Sequence, residues 1–172
     1  ELFRVGGHKR YPAADRLRSW LDALANVLDL AIRLHVANVF FKSGLTKIED
    51  WDKTVFLFQE EYHVPLLPPE AAAFLGTFGE LFFPVLLALG VAGRFAAASL
   101  SVVNVVAVIS FWHVLGTNEA ALAGHFYWGA LLLVTLLHGP GKLSLDHWLW
   151  RRAKLSVSRQ ARAASARSRS RD

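Results

Sequence analysis

Three uninterrupted apolar runs, roughly residues 70–91, 94–115 and 119–138, constrain this chain more than any motif. A hydrocarbon core takes about 20 mostly apolar residues to cross as a helix, and each run is long enough. A fourth segment, 24–46, is more polar, carrying Asp29, Arg33, His35, Asn38 and Lys42. It reads as a spanning helix if its neighbours shield it, with Asp29 and Arg33 one helical turn apart and able to offset each other's charge. The expectation is an all-α protein, an integral membrane four-helix bundle with a short interfacial helix and a disordered basic C-terminal tail. Its parts are a basic N-terminal segment 1–23, a membrane domain 24–150 and a tail 151–172.

Composition supports lipid over water as the main solvent. Hydrophobic residues make up 53% of the chain and charged residues 19%, and mean hydropathy is +0.31, which is too apolar for an ordinary soluble domain of this size. Arg4, Lys9, Arg10, Arg16 and Arg18 precede the first span, and Arg151, Arg152, Lys154 and five further arginines follow the last. Four spans put both ends on one side, and the basic excess assigns that side to the cytoplasm. The same excess accounts for the pI near 9.9, so the Arg/Ser/Ala tail is read as a segment beside anionic headgroups and not as a nucleic-acid arm. Cysteine is absent, which excludes disulfides, CxxC redox chemistry and thiolate metal sites within the chain. Methionine is absent too, so Glu1 is not an ordinary start residue, and residues 1–20 are too charged for a signal-peptide core.

Polar residues inside the spans carry the functional signal. Glu80 stands alone in TFGELFFPVLLALG, with no other charge between Glu70 and Arg94. A carboxylate at that depth faces the bundle interior, pairs, or stays protonated. Ala72, Gly76 and Gly79 near its face allow close approach of another helix, and Pro84 frees the carbonyl of Glu80. Counting depth by helical rise, Lys42, Glu80, His113 and His125 converge between the bundle centre and the outer surface. Asn104 sits mid-span, and Trp112, Tyr127 and Trp128 lie near the outer interface.

A flat apolar slot with aromatic walls and titratable groups suits quinone chemistry, which couples electrons to protons. Glu80, His113 and His125 are the candidate catalytic residues, and Lys42, Asn104, Trp112 and Trp128 the candidate ligand-binding ones. Lys42 also suits snorkelling to the surface, and the two histidines also suit an interfacial belt. Haem is the second candidate ligand, but neither His113 nor His125 sits in an HxxxH or ExxH spacing, and no metal site is expected.

His35, Asn38, Lys42 and Thr46 share one face of the first span, with Asp29, Arg33 and Lys47 on roughly the opposite face. Two polar faces call for two shielding environments, the bundle centre and another subunit. The 51–69 segment mixes an apolar patch, Val55 to Phe58, with acids and reads as an amphipathic surface element or docking surface. In GPGKLSLD, Gly139 ends the fourth span, Pro140 prevents its continuation, and Ser144 caps a short helix anchored by Trp148 and Trp150.

SGLTKIEDW (43–51), HVPLLPPEAAAFLGTFGELFFPVLLALGVAGRFAA (63–97) and HFYWGALLLVTLLHGPGKLSLD (125–146) together resemble the DoxX family of small four-helix membrane proteins. The resemblance spans residues 27–150 and rests on the ordered set Arg33, Gly44, Lys47, Gly79, Glu80, Gly90, Arg94 and GPGKLSLD. It implies a bacterial-type inner membrane protein with both termini inside. Members are associated with sulfur-compound or thiol oxidation feeding quinone, with terminal oxidase complexes, and with metal or oxidative stress systems. Lacking cysteine, this chain leaves thiol chemistry to a partner.

Two functional classes follow. One is a subunit of, or beside, a quinone-linked oxidoreductase complex, in contact with lipid and other membrane subunits. The other is a non-catalytic accessory subunit that stabilises or assembles such a complex. A solute carrier is disfavoured because neither an inverted repeat nor paired broken helices is evident.

Overall fold

The computed structural model describes residues 12–156, and among them the chain forms helices and turns with no strand. In order these are α1 (Pro12–Glu49), α2 (Trp51–Glu60), α3 (Pro69–Leu89), α4 (Gly93–Ser110), α5 (Trp112–Leu115) and α6 (Glu119–His138). A last helix, α7, covers 145–156. Four of them, α1, α3, α4 and α6, are long and apolar enough to cross a membrane, and the chain is a multi-pass membrane protein. α1 packs on α3, α3 on α4, α4 on α6 and α6 back on α1, closing a ring, while α2 lies against α3.

Local chemistry sets the boundaries. Asp50 caps α2 by accepting from the Lys53 amide at 3.0 Å, and Asn118 caps α6 by accepting from the Ala121 amide at 3.1 Å, each satisfying an orphan donor of a first turn. Pro69 occupies the first position of α3, where its missing N–H costs nothing. Gly90 ends α3 in the left-handed region at φ 66°. Ala92 then adopts φ 46°, a conformation that strains a residue with a Cβ. The Asp146 carboxylate holds it there, accepting from the amides of Ala92 at 3.0 Å and Gly93 at 3.1 Å, so a residue in the first turn of α7 caps α4.

The core is built of small and medium apolar groups. Val36, Ala37 and Phe40 of α1 meet Leu87 of α3, Ala96, Ala97 and Leu100 of α4 and Leu132 of α6. Phe74, Phe78, Phe82, Ile109 and Leu133 point outward, as lipid-facing side chains do.

Several expectations are refined. The first span was expected over 24–46, yet α1 runs from residue 12 to residue 49, because Leu17, Leu21, Leu24 and Leu28 continue a helical spacing through charged surroundings. The stretch expected as one helix over 94–115 breaks at Phe111, whose φ is −114° and ψ 22°. The His63 amide donates to the Ser110 carbonyl there at 3.0 Å, and Tyr62 stacks on Phe111 with ring centres 4.6 Å apart. Of the 51–69 segment, only residues 51–60 form a helix, α2, with Phe58 buried against Ala72 and Ala73.

Ser144 caps the final helix, accepting from the His147 amide at 3.2 Å. Arg152 lies 3.8 Å over the Trp148 ring and Lys154 3.5 Å over Trp150. Residues 151–156, expected within the tail, continue this helix; the rest of the tail and residues 1–11 lie outside the described residues.

Asp29 acts on Arg33 electrostatically, as expected, but the two make no direct ion pair. Arg33 is buried and donates to the carbonyls of Leu87 and Ala88 at 3.2 Å each and to that of Leu143. The guanidinium thus adds donors to the carbonyls at the end of α3 and ties α1 to the segment after α6. The Lys142 amide donates to Asn26 at 3.1 Å, so both ends of the described chain leave the bundle at the same end, opposite α2.

Candidate functional site

Towards the α2 end, the helices border a partly open cavity of about 470 Å³. Val39, Phe40, Ser43 and Lys47 of α1, Phe58 of α2, Tyr62 of the following turn, Gly76 and Glu80 of α3, Val103, Val106 and Ser110 of α4, and His125 and Trp128 of α6 all contribute to its lining. Most of this wall is apolar, and the few polar groups form two clusters.

In the first, Lys47 Nζ donates to Glu80 Oε2 at 2.6 Å and to Ser43 Oγ at 3.0 Å. The two charged side chains keep only 17% and 11% of their surface exposed. Gly44 makes their meeting possible: a Cβ there would lie 2.8 Å from the Leu81 side chain and 3.2 Å from the Glu80 carbonyl carbon. Pro84, which leaves that carbonyl without its helical donor, therefore sits one turn beyond the closest approach of α1 and α3. Thr54 Oγ1 donates to the Lys47 carbonyl at 2.8 Å, fixing the end of α1 that presents the amine.

In the second, Asn104 is buried. Its Nδ2 donates to the His125 carbonyl at 2.9 Å, and its Oδ1 lies 2.8 Å from His125 Nδ1. The backbone carbonyl can only accept, which fixes the amide orientation. Oδ1 then requires a proton on Nδ1, so a neutral His125 ring keeps Nε2 as an acceptor. No described residue hydrogen-bonds that Nε2.

Tyr62 lies stacked between Phe58 and Phe111, with ring centres 4.7 Å and 4.6 Å away. Burial first, and then the negative charges of Glu80 and Glu61, push its hydroxyl above the ordinary phenol range, so it is a hydrogen-bond donor at neutral pH. Among the described residues no three His, Asp or Glu side chains gather as metal ligands.

The family model for DoxX matches residues 28–113, which carry Lys47, Glu80 and Asn104. The chain belongs to the DoxX family. It is also similar to an uncharacterized protein of Haemophilus influenzae, 33% identical over 123 residues that make up 68% of this chain and 80% of that protein. No solved structure matches it.

Within this DoxX protein, Glu80, His125 and Trp128 line the cavity and Asn104 holds His125 from behind. Lys42, Trp112 and His113 do not reach it. Lys42 is exposed on the outward face of α1, roughly 140° around the helix from Lys47 at 100° per residue. Trp112 and His113 lie beyond the break at Phe111, in a short turn that leaves the line of α4. His113 packs edge-on against His63, with ring centres 5.5 Å apart, and against Phe111. Lys47, Ser43 and Tyr62 are the additional cavity residues. Lys47 had a signal: Arg33, Val36, Phe40, Gly44 and Lys47 follow helical spacing on the face that packs into the bundle.

Proposed function

We propose that this DoxX protein is a quinone-binding subunit of a larger redox complex in the bacterial inner membrane, with both termini in the cytoplasm. The observation that carries the reading is the placement of a Lys47–Glu80 pair and an Asn104-oriented His125 in one apolar, aromatic-walled cavity. Its volume falls in the usual range for small-molecule sites, about 300–1,000 Å³, and its wall suits a flat ring flanked by Phe58, Tyr62 and Trp128. A bound quinone supplies two-electron, two-proton chemistry at its carbonyl oxygens.

The residues of the chain handle the protons. Lys47 donates a hydrogen bond towards a carbonyl oxygen and, with Glu80, relays a proton across a 2.6 Å contact. His125 Nε2 accepts a proton from a hydroxyl or returns it, while Asn104 keeps the ring in one tautomer. Electrons come from a redox partner in the same complex; with no cysteine in the chain, any thiol donor belongs to that partner.

A titration of the purified chain with a short-chain benzoquinone, followed by tryptophan quenching, tests this. Saturable quenching is expected, with Trp128→Phe reducing its amplitude and not the affinity. Glu80→Gln and His125→Ala are each expected to weaken binding tenfold or more. A wild-type chain that shows no saturable binding defeats the quinone reading and leaves the accessory role.

A further inference from the structure

α1 carries a second pattern that the four-helix ring leaves unused. Trp20, Val27, Leu34, Phe41 and Ile48 recur every seven residues, and all five are exposed. Leu24, Ala31, Asn38 and Leu45 recur at the same period, also exposed, interleaved so that the steps alternate four and three. This is the a/d seam of a coiled coil sustained for about four heptads, and it lies opposite the Arg33, Val36 and Phe40 face that packs into the bundle. None of the nine positions is charged. Asn38 alone is polar, and no described residue hydrogen-bonds its side chain.

The seam crosses two media. From Asn38 towards α2 it runs along the bundle, where lipid gives an amide no partner. From Val27 towards Trp20 it follows the part of α1 that projects past the Asn26–Lys142 contact, where the large side chains remain exposed. One occupant answers both needs: a long helix of the same length, crossing the same boundary, with an amide at the depth of Asn38.

We propose that the occupant is α1 of a second copy of this chain, in a parallel two-fold pair. Two copies inserted the same way in one membrane present Asn38 to Asn38 at equal depth. The side-chain amide is self-complementary, with a carbonyl acceptor and an NH2 donor. A single asparagine at an a position is also the device that sets register in paired helices. The cavities, on the opposite face of α1, are left untouched by the pairing.

The chain contains no cysteine, so single cysteines report pairing without background. In native membranes Leu24→Cys, on the seam, is expected to form an oxidised dimer of twice the 19.1 kDa chain mass, while Asp22→Cys, on the far face, stays monomeric. Adding Asn38→Leu to Leu24→Cys is expected to cut the cross-linked fraction several-fold, and Asn38→Gln to retain most of it. Equal cross-linking at both positions, cross-links solely to another protein, or no seam cross-link overturns the pairing. If the variants do not accumulate, light scattering of the unmodified chain in mild detergent decides: a dimer supports the pair and a monomer overturns it.

Discussion

At Glu80 two charges depend on each other. Removing the Lys47 amine leaves a carboxylate facing an apolar cavity, and breaking a fully buried pair this way costs about 3–5 kcal/mol. This pair keeps some solvent contact, so Lys47→Met is expected to destabilise the protein less, by about 2 kcal/mol. The double change Lys47→Met with Glu80→Leu is expected to recover most of that loss while leaving quinone binding abolished, because two apolar groups replace a desolvated pair. Thermal unfolding of the single and double variants in detergent checks it, and strictly additive losses would show that the two residues are not coupled.

Tyr62 provides a pH test. Its raised pKa means that the folded protein keeps a proton which the unfolded chain releases near the ordinary value of about 10. The associated stability is complete below that value and is lost as pH rises through the folded one. One of the three tyrosines is therefore expected to ionise late when absorbance at ~295 nm is followed, since that band reports phenolate. Tyr62→Phe should remove the late step and flatten the alkaline loss of stability.

Between elements, the close approach at Gly44 governs how α1 meets α3. A Cβ at that position would press on Leu81 and the Glu80 backbone, so Gly44→Val is expected to cost about 1–3 kcal/mol as overpacking does. It should also weaken quinone binding without lining the cavity, by moving Lys47 away from Glu80; calorimetry and the quenching titration together measure both effects. Asp146→Ala should cost about 1 kcal/mol as the loss of a helix cap, with Ala92 left strained at its positive φ. Three of the four spans were legible from apolar runs, and so was the cap at Ser144, since it depends on residues close in sequence. The break at Phe111 was not, because it is made by Tyr62 and His63 arriving from a distant turn. The partner of Glu80 was missed for a related reason: Lys42 and Lys47 are equally basic, and only the packing of α1 on α3 tells which of them faces inward.

For the molecule as a whole, four spans bring both described ends out at one end of the bundle, and the bonds from Lys142 to Asn26 and from Ala92 to Asp146 hold that end together. The count of spans and the placement of arginines make this arrangement readable from the chain itself, whereas the projecting part of α1 was read as a basic segment because its charges obscure its leucines. On the quinone proposal, orientation decides which compartment would exchange protons with the cavity, since the cavity lies towards α2. On the proposed orientation, with the basic ends of the sequence in the cytoplasm, protons are expected to come and go on the far side. Thr117→Cys, in the loop before α6, should then react with a membrane-impermeant maleimide on spheroplasts, and Lys142→Cys only after lysis. The reverse labelling would turn the bundle over and place proton exchange on the cytoplasmic side, with Lys47, Glu80 and His125 still sharing the same cavity.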